Sequence, residues 1–119
     1  MAKEWAQKFV HGFYENMAND RSRNLMLYRE GSQLSYNGSH CATLQQIKEK
    51  FENFSYKTML YKFDDIDVQQ VGANGILIVV NGKLNLDNEN TFSFCETFMI
   101  IFESQEAFYI QNEVMQLIL

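Results

Sequence analysis

Between residues 92 and 102 this chain is apolar on both parities. Phe92, Phe94, Phe98, Ile100 and Phe102 alternate with Cys95, Met99 and Ile101, and only Glu96, Ser93 and Thr97 interrupt them. Successive side chains of an extended strand leave on opposite faces, so such a segment predicts a central strand covered on each side. The flanking segments share its period of two. Residues 76–86 are rich in β-branched side chains between the Gly72–Gly75 stretch and the polar run 87–90, and 108–117 reads as a final strand after a turn at 103–106.

Before Tyr56 the period is helical. Trp5, Phe9, Phe13 and Met17 recur at every fourth residue with Val10 and Tyr14 beside them, the stripe of an amphipathic helix. Asn19 and Asp20 offer N-cap oxygens for a short second helix through Leu25 and Tyr28, ended by Gly31. Residues 33–36 read as a short strand, and Thr43 with Gln46 forms a capping-box pattern for a third helix through about Phe51. Three helices followed by long antiparallel strands predict an α+β fold in one domain spanning 1–119. Helices can cover only one face of the sheet. Met99, Ile101 and Val114 would remain on the other, and a homodimer formed sheet to sheet is expected to cover them.

Composition narrows the function. A net charge of −5 argues against a nucleic-acid binder, which needs a basic face for phosphates. No apolar run reaches the roughly 20 residues that cross a bilayer, and the N-terminus lacks the apolar core of a secretory signal. Membrane insertion is not expected, and the two cysteines, Cys41 and Cys95, read as free thiols of a reducing compartment. His11 and His40 have no partners at metal-ligand spacing, and Gly72-Ala-Asn-Gly75 is a turn rather than a phosphate loop, so neither metal nor cofactor is implied. A Cys41–His40 nucleophile pair is disfavoured, because adjacent residues on an extended chain point apart. Asp64, Asp65 and Asp67 read as a solvated strand edge, and Asp87 and Glu89 as carboxylates flanking Asn88 on one rim of the sheet.

Asn-Asp-Arg-Ser at 19–22, Leu-Asp-Asn-Glu at 86–89 and Phe-Tyr-Ile-Gln-Asn-Glu at 108–113, in this order and spacing, resemble the nuclear transport factor 2 family. The resemblance runs from Trp5 to Leu117. It implies a cone-shaped domain with an apolar cavity between helices and curved sheet, and a non-enzymatic carrier that takes GDP-bound Ran into the nucleus. Asp87 and Glu89 would meet basic residues of Ran's switch II, a large aromatic of Ran would enter the cavity, and Tyr36, Asn37, Tyr56 and Tyr61 would complete the Ran site. Phe-Gly repeats of nucleoporins would meet Trp5, with Met115 lining the same groove. The implied location is cytoplasm and nucleus, at the nuclear pore.

Several positions depart from the family pattern. The usual Trp-Glu reads Tyr36-Asn37, a cavity His reads Tyr61, an Asp reads Ala18, and near the C-terminus an Asp and an aromatic read Glu113 and Met115. Asn37 carries no charge for a basic partner, so recognition at that corner is expected to be weaker or altered. The competing reading is a small-molecule isomerase or dehydratase of the same fold, with Tyr61, Asp64 or Glu96 as the acid–base group in the cavity. A third is a dimerising scaffold for Phe-Gly-type motifs. Such scaffolds carry the domain at the head of a longer chain, whereas this one stops at Leu119.

Overall fold

The stripe beginning at Trp5 does become a helix. In the computed structural model, which describes residues 2–118, α1 spans Ala2–Asn19 and buries Ala6, Val10, Phe13, Tyr14 and Met17. A 3₁₀ helix, Arg21–Leu27, precedes β1 (Tyr28–Tyr36) and β2 (Ser39–Cys41). Then come α2 (Leu44–Glu52), β3 (Met59–Val71), β4 (Gly75–Leu86), β5 (Asn90–Phe102) and β6 (Phe108–Ile118). The six strands form one sheet in the order β2-β1-β6-β5-β4-β3, so the doubly apolar β5 is interior, between β4 and β6.

Three expectations need correction. The second helix is 3₁₀ and ends before Tyr28, because the Asp20 carboxylate accepts from Ser22 Oγ (2.6 Å) and caps no backbone N–H. Asn24 instead ties this turn to α1, donating to the Phe13 carbonyl at 3.0 Å and accepting from Asn16. Gly31 therefore ends no helix: it lies inside β1 at φ +91°, where the pairing with β6 is irregular between Tyr28 and Gln33. The sheet is also mixed rather than antiparallel, since β1 runs parallel to β6. Finally, residues 39–41 add a strand that was not expected, β2, which holds His40. Asn37-Gly38, with φ of 48° and 92°, forms the two-residue hairpin turn that pairs β1 with β2.

The third helix follows its signal, with both halves of the Thr43/Gln46 capping box made.

Extra residues bend the sheet. Phe63 pairs with Gly82 and Asp65 with Asn81, leaving Asp64 as a bulge; Met99 pairs with Asn112 and Ile100 with Ile110, leaving Gln111 as another. Each bulge also switches parity. Tyr61 and Phe63 face inward before Asp64, and Ile66 does so after it; Ile110 faces inward before Gln111, and Glu113 and Met115 after it. The inner face meets α1, where Phe98 lies 5.3 Å from Phe9 and 5.1 Å from Phe13 between ring centroids. The outer face carries Leu77, Val79, Met99 and Ile101, all half-buried, and Val114, which is 40 % exposed.

Gly82 makes the first bend possible. A Cβ there would sit 2.2 Å from the Lys62 carbonyl oxygen and 2.6 Å from Phe63 Cα, both backbone atoms that cannot move aside. Gly82→Ala is expected to destabilise the fold by about 1–3 kcal/mol, the usual cost of overpacking. Chemical denaturation beside the parent checks it, and an unchanged midpoint would mean that β3 takes its bend elsewhere.

Candidate functional site

A cleft of about 300 Å³ opens between the end of α2, the β1–β2 turn and the β4 end, walled by Tyr36, Phe54, Tyr56, Leu86 and Leu117. Arg21, the arginine of the Asn-Asp-Arg-Ser motif, braces two of these walls from outside the cleft, with its guanidinium 5.8 Å from the Phe54 ring centre. Its Nε donates to the Met17 carbonyl at the end of α1 (3.2 Å) and its Nη2 to the carbonyl of Tyr56. Lys50 lies 5.5 Å from the Tyr36 ring centre and 6.0 Å from that of Phe54. Asn37 is explained first by its turn: its N–H donates to the Met115 carbonyl (2.7 Å) and its side-chain oxygen accepts from Leu117 N (3.3 Å).

Asp87 and Glu89 stand on the adjoining β4–β5 turn, and their situations differ. Asp87 and Asn88 take positive φ, 54° and 59°, the conformation of a type I′ hairpin. Asp87 Oδ1 accepts from the backbone N–H groups of Lys57 (2.7 Å) and Thr58 (2.8 Å), clamping the start of β3 to the turn. Glu89 is exposed. Asp87 thus carries a structural duty on one oxygen, while Glu89 carries none.

Inside the cone, where an apolar cavity is expected, two acids are buried. Glu96 on β5 and Glu113 on β6 are 2 % and 3 % exposed and share a hydrogen bond. Tyr14 donates to Glu96 at 2.9 Å, and Tyr28 donates to Glu113. Burial, and then the neighbouring Glu113 charge, push the Glu96 carboxyl well above the usual carboxylate range. Burial raises Glu113 as well, but hydrogen bonds from Glu96 and Tyr28 oppose that rise. The two carboxyls therefore hold one proton between them into the range where free carboxyls are ionised. Tyr61 stacks on Tyr14 with ring centres 4.2 Å apart and planes 2° apart, and its hydroxyl lies near that of Tyr36. All four tyrosine hydroxyls are pushed above their ordinary value, first by burial.

Two further expectations change. Met115 is completely buried, because the Gln111 bulge turns it inward, so it cannot line a surface groove. Asp64 is the exposed bulge residue and does not face the interior. Trp5 is half-buried: it stacks on Phe9 (5.3 Å, 7°) and meets Phe102 and Phe108 edge-on at 4.9 Å each. His11 is exposed and pairs with Glu15 one turn on. Among the described residues no group of three or more His, Cys, Asp or Glu could hold a metal, and no helix is long and apolar enough to cross a membrane. The sequence reading passed over Glu113 as a partner of Glu96.

Residues 5–117 match the model of the nuclear transport factor 2 (NTF2) domain. The chain belongs to the nuclear transport factor 2 family. Among its relatives, nuclear transport factor 2 of Emericella nidulans is 29 % identical over 95 % of this chain and 92 % of its own length. That of Neurospora crassa is 26 % identical over 96 % and 93 %. Nuclear transport factor 2 of Cryptosporidium parvum superposes with a TM-score of 0.93 at 20 % identity, over 98 % of this chain and 94 % of its own. The yeast UBP3-associated protein BRE5 superposes at 0.89 with 23 % identity, covering 99 % of this chain and 97 % of that one. Likenesses at that identity carry the fold, which is the cone of helices on a bent sheet described above.

The buried acids make stability depend on pH. Glu96 releases its proton near pH 4.3 when unfolded, by the ordinary value for glutamate, but holds it longer when folded. Stability is therefore fully present below that pH and falls as pH rises toward the raised folded value, by at most about 1.4 kcal/mol per pH unit. Glu96→Gln still accepts from Tyr14 and can donate to Glu113 without titrating, so its stability is expected to fall less steeply. Urea unfolding at a series of pH values reads this, and equal slopes would show that the pair does not hold a proton.

Proposed function

We propose that this protein is a non-enzymatic nuclear transport carrier that binds GDP-bound Ran at the cleft and touches Phe-Gly repeats of nucleoporins through Trp5, moving between cytoplasm and nucleus at the pore. The observation that carries the reading is the cleft itself, an aromatic-walled opening beside the acidic turn of Asp87 and Glu89. Tyr36, Tyr56 and Phe54 offer rings to an apolar side chain of the partner, worth roughly 1.5–3 kcal/mol on burial, and Tyr61 lies near Tyr36. Glu89 and the outer oxygen of Asp87 supply negative charge to basic residues of the partner. At the Asn37 corner the charge is missing, and Lys50 lines the same cleft.

An enzymatic reading finds its acid–base group occupied. Glu96 is enclosed and engaged by Tyr14 and Glu113, and Asp64 lies outside.

The sheet's outer face completes the proposal. Leu77, Val79, Met99, Ile101 and Val114 form an apolar patch across three strands, and a second copy packed there would remove it from water. Sedimentation equilibrium at micromolar concentration is expected to give about twice the 14.0 kDa chain mass; a single-chain mass rules out the homodimer.

Charge reversal at the rim must spare the Asp87 clamp. Asp87→Asn with Glu89→Lys keeps an acceptor for Lys57 and Thr58 and removes the negative charge. This double variant is expected to fold normally and to lose capture of GDP-bound Ran, because opposed like charges at an interface cost several kcal/mol. Retention of Ran at parental strength in a pull-down would place the Ran site elsewhere.

Trp5→Ala is expected to weaken Phe-Gly repeat binding by about thirtyfold, the effect of losing a contact worth roughly 2 kcal/mol, while Ran binding changes little. Its stacking on Phe9 means the melting temperature will drop as well. Titration calorimetry with each partner at a temperature where the variant is folded separates the effects. Parallel loss of both partners would assign Trp5 to the core alone.

A further inference from the structure

We propose that Glu96 is a positioning residue for the docking cleft: through Tyr14 and Tyr61 it holds Tyr36 in the cleft wall, so that docking is linked to the proton shared by Glu96 and Glu113. The inference rests on the docking role given to the cleft above, and it adds regulation to that site.

The geometry forms one continuous path. Glu96 pairs across the sheet with Met115, and Glu113 with Phe98, so the two acids are diagonal neighbours on the inner face. The Tyr14 hydroxyl reaches Glu96 Oε1 at 2.9 Å. The Tyr14 ring lies flat on Tyr61, 4.2 Å away, and both rings also meet Phe94 edge-on, at 5.7 Å and 5.4 Å. The Tyr61 hydroxyl lies near that of Tyr36, whose ring lies 5.0 Å from Phe54 and forms the cleft wall. Three tyrosines thus span from the acid pair to the place where a partner's side chain would sit.

The groups facing the pair supply no positive charge. They are Tyr14 from α1, Tyr28 and Tyr36 from β1, Tyr61 from β3 and Cys95 beside Glu96 on β5. Each is a neutral donor or a further acid. Two carboxylates in contact without a cation cannot both ionise cheaply, so one proton is retained between them. When it leaves, the Glu96–Glu113 hydrogen bond becomes a repulsion between like charges. Glu96 can move only by drawing on Tyr14, and the Tyr14–Tyr61 stack carries the displacement to Tyr36. By reciprocity, a partner that docks best on the protonated arrangement makes the pair hold its proton more tightly.

The test uses GDP-bound Ran with the whole protein at fixed ionic strength between about pH 6 and about pH 9, a range in which a one-proton linkage changes affinity by at most about tenfold per unit. The parent is expected to weaken several-fold across this range relative to Glu96→Gln, whose side chain donates to Glu113 at every pH. Titration of Ran itself cancels in that ratio. Glu113→Gln removes the facing acid and leaves Glu96 to titrate alone, so its loss of affinity is expected to begin at lower pH than in the parent; it serves if Glu96→Gln folds poorly. A second readout needs no Ran: in the free parent, NMR signals of the Tyr36 and Phe54 rings are expected to shift with the Glu96 carboxyl titration. Those ring shifts are expected to vanish in Glu96→Gln, and to vanish in Tyr61→Phe while Glu96 still titrates. Failure of the parent to bind Ran at any pH would overturn the carrier reading, yet the ring signals would still decide the positioning role. Tyr36 signals that ignore the Glu96 titration, or ring shifts that survive in Tyr61→Phe, would overturn this proposal.

Discussion

Phe98 sits beneath Phe9 and Phe13 of α1, and this helix-on-sheet contact needs a sheet that bends around the helix. The bulges at Asp64 and Gln111 provide bends, and Gly82 lets β3 approach β4 closely enough to hold the first of them. The core, the cleft and the acidic turn follow from that curvature. A flat sheet would leave Tyr61 and Phe63 without α1 to pack on, and would separate the β4–β5 turn from the loop of Tyr56.

Curvature creates an interior, and here the interior is polar at its centre. Glu96 and Glu113 would be costly there alone, since each loses water without gaining a cation. Tyrosine hydroxyls and one retained proton reduce that cost. The aromatic richness of the chain serves two purposes as a result. Phenylalanines pack α1 on the sheet, while the tyrosines carry hydrogen bonds through the same apolar volume and end at the cleft wall.

Motif residues that looked like contact residues carry structural work too. Asp87 clamps the start of β3, Asn37 makes a hairpin and braces β6, and Arg21 secures the Tyr56 loop to α1. Their spacing in the chain reflects the construction of the cleft as well as whatever docks in it. Glu89, exposed and without such a duty, is the cleaner candidate for a partner's charge.

Local pattern by itself determined the first helix, the capping box at Thr43, strands β4 to β6, the interior place of β5 and the α+β class, because periodicity and turn chemistry act over a few neighbouring residues. The Asn37-Gly38 pair is a hairpin signal that went unread, and β2 went unread with it. Tertiary structure alone decided that β1 runs parallel to β6, that Asp20 caps no helix, that Met115 is buried and that Glu113 meets Glu96. A single bulge residue reverses the inward parity of everything after it, and whether a strand bulges depends on the strand beside it. Pairing partners distant in sequence therefore settled which side chains share the interior, and no count along one segment contains that information.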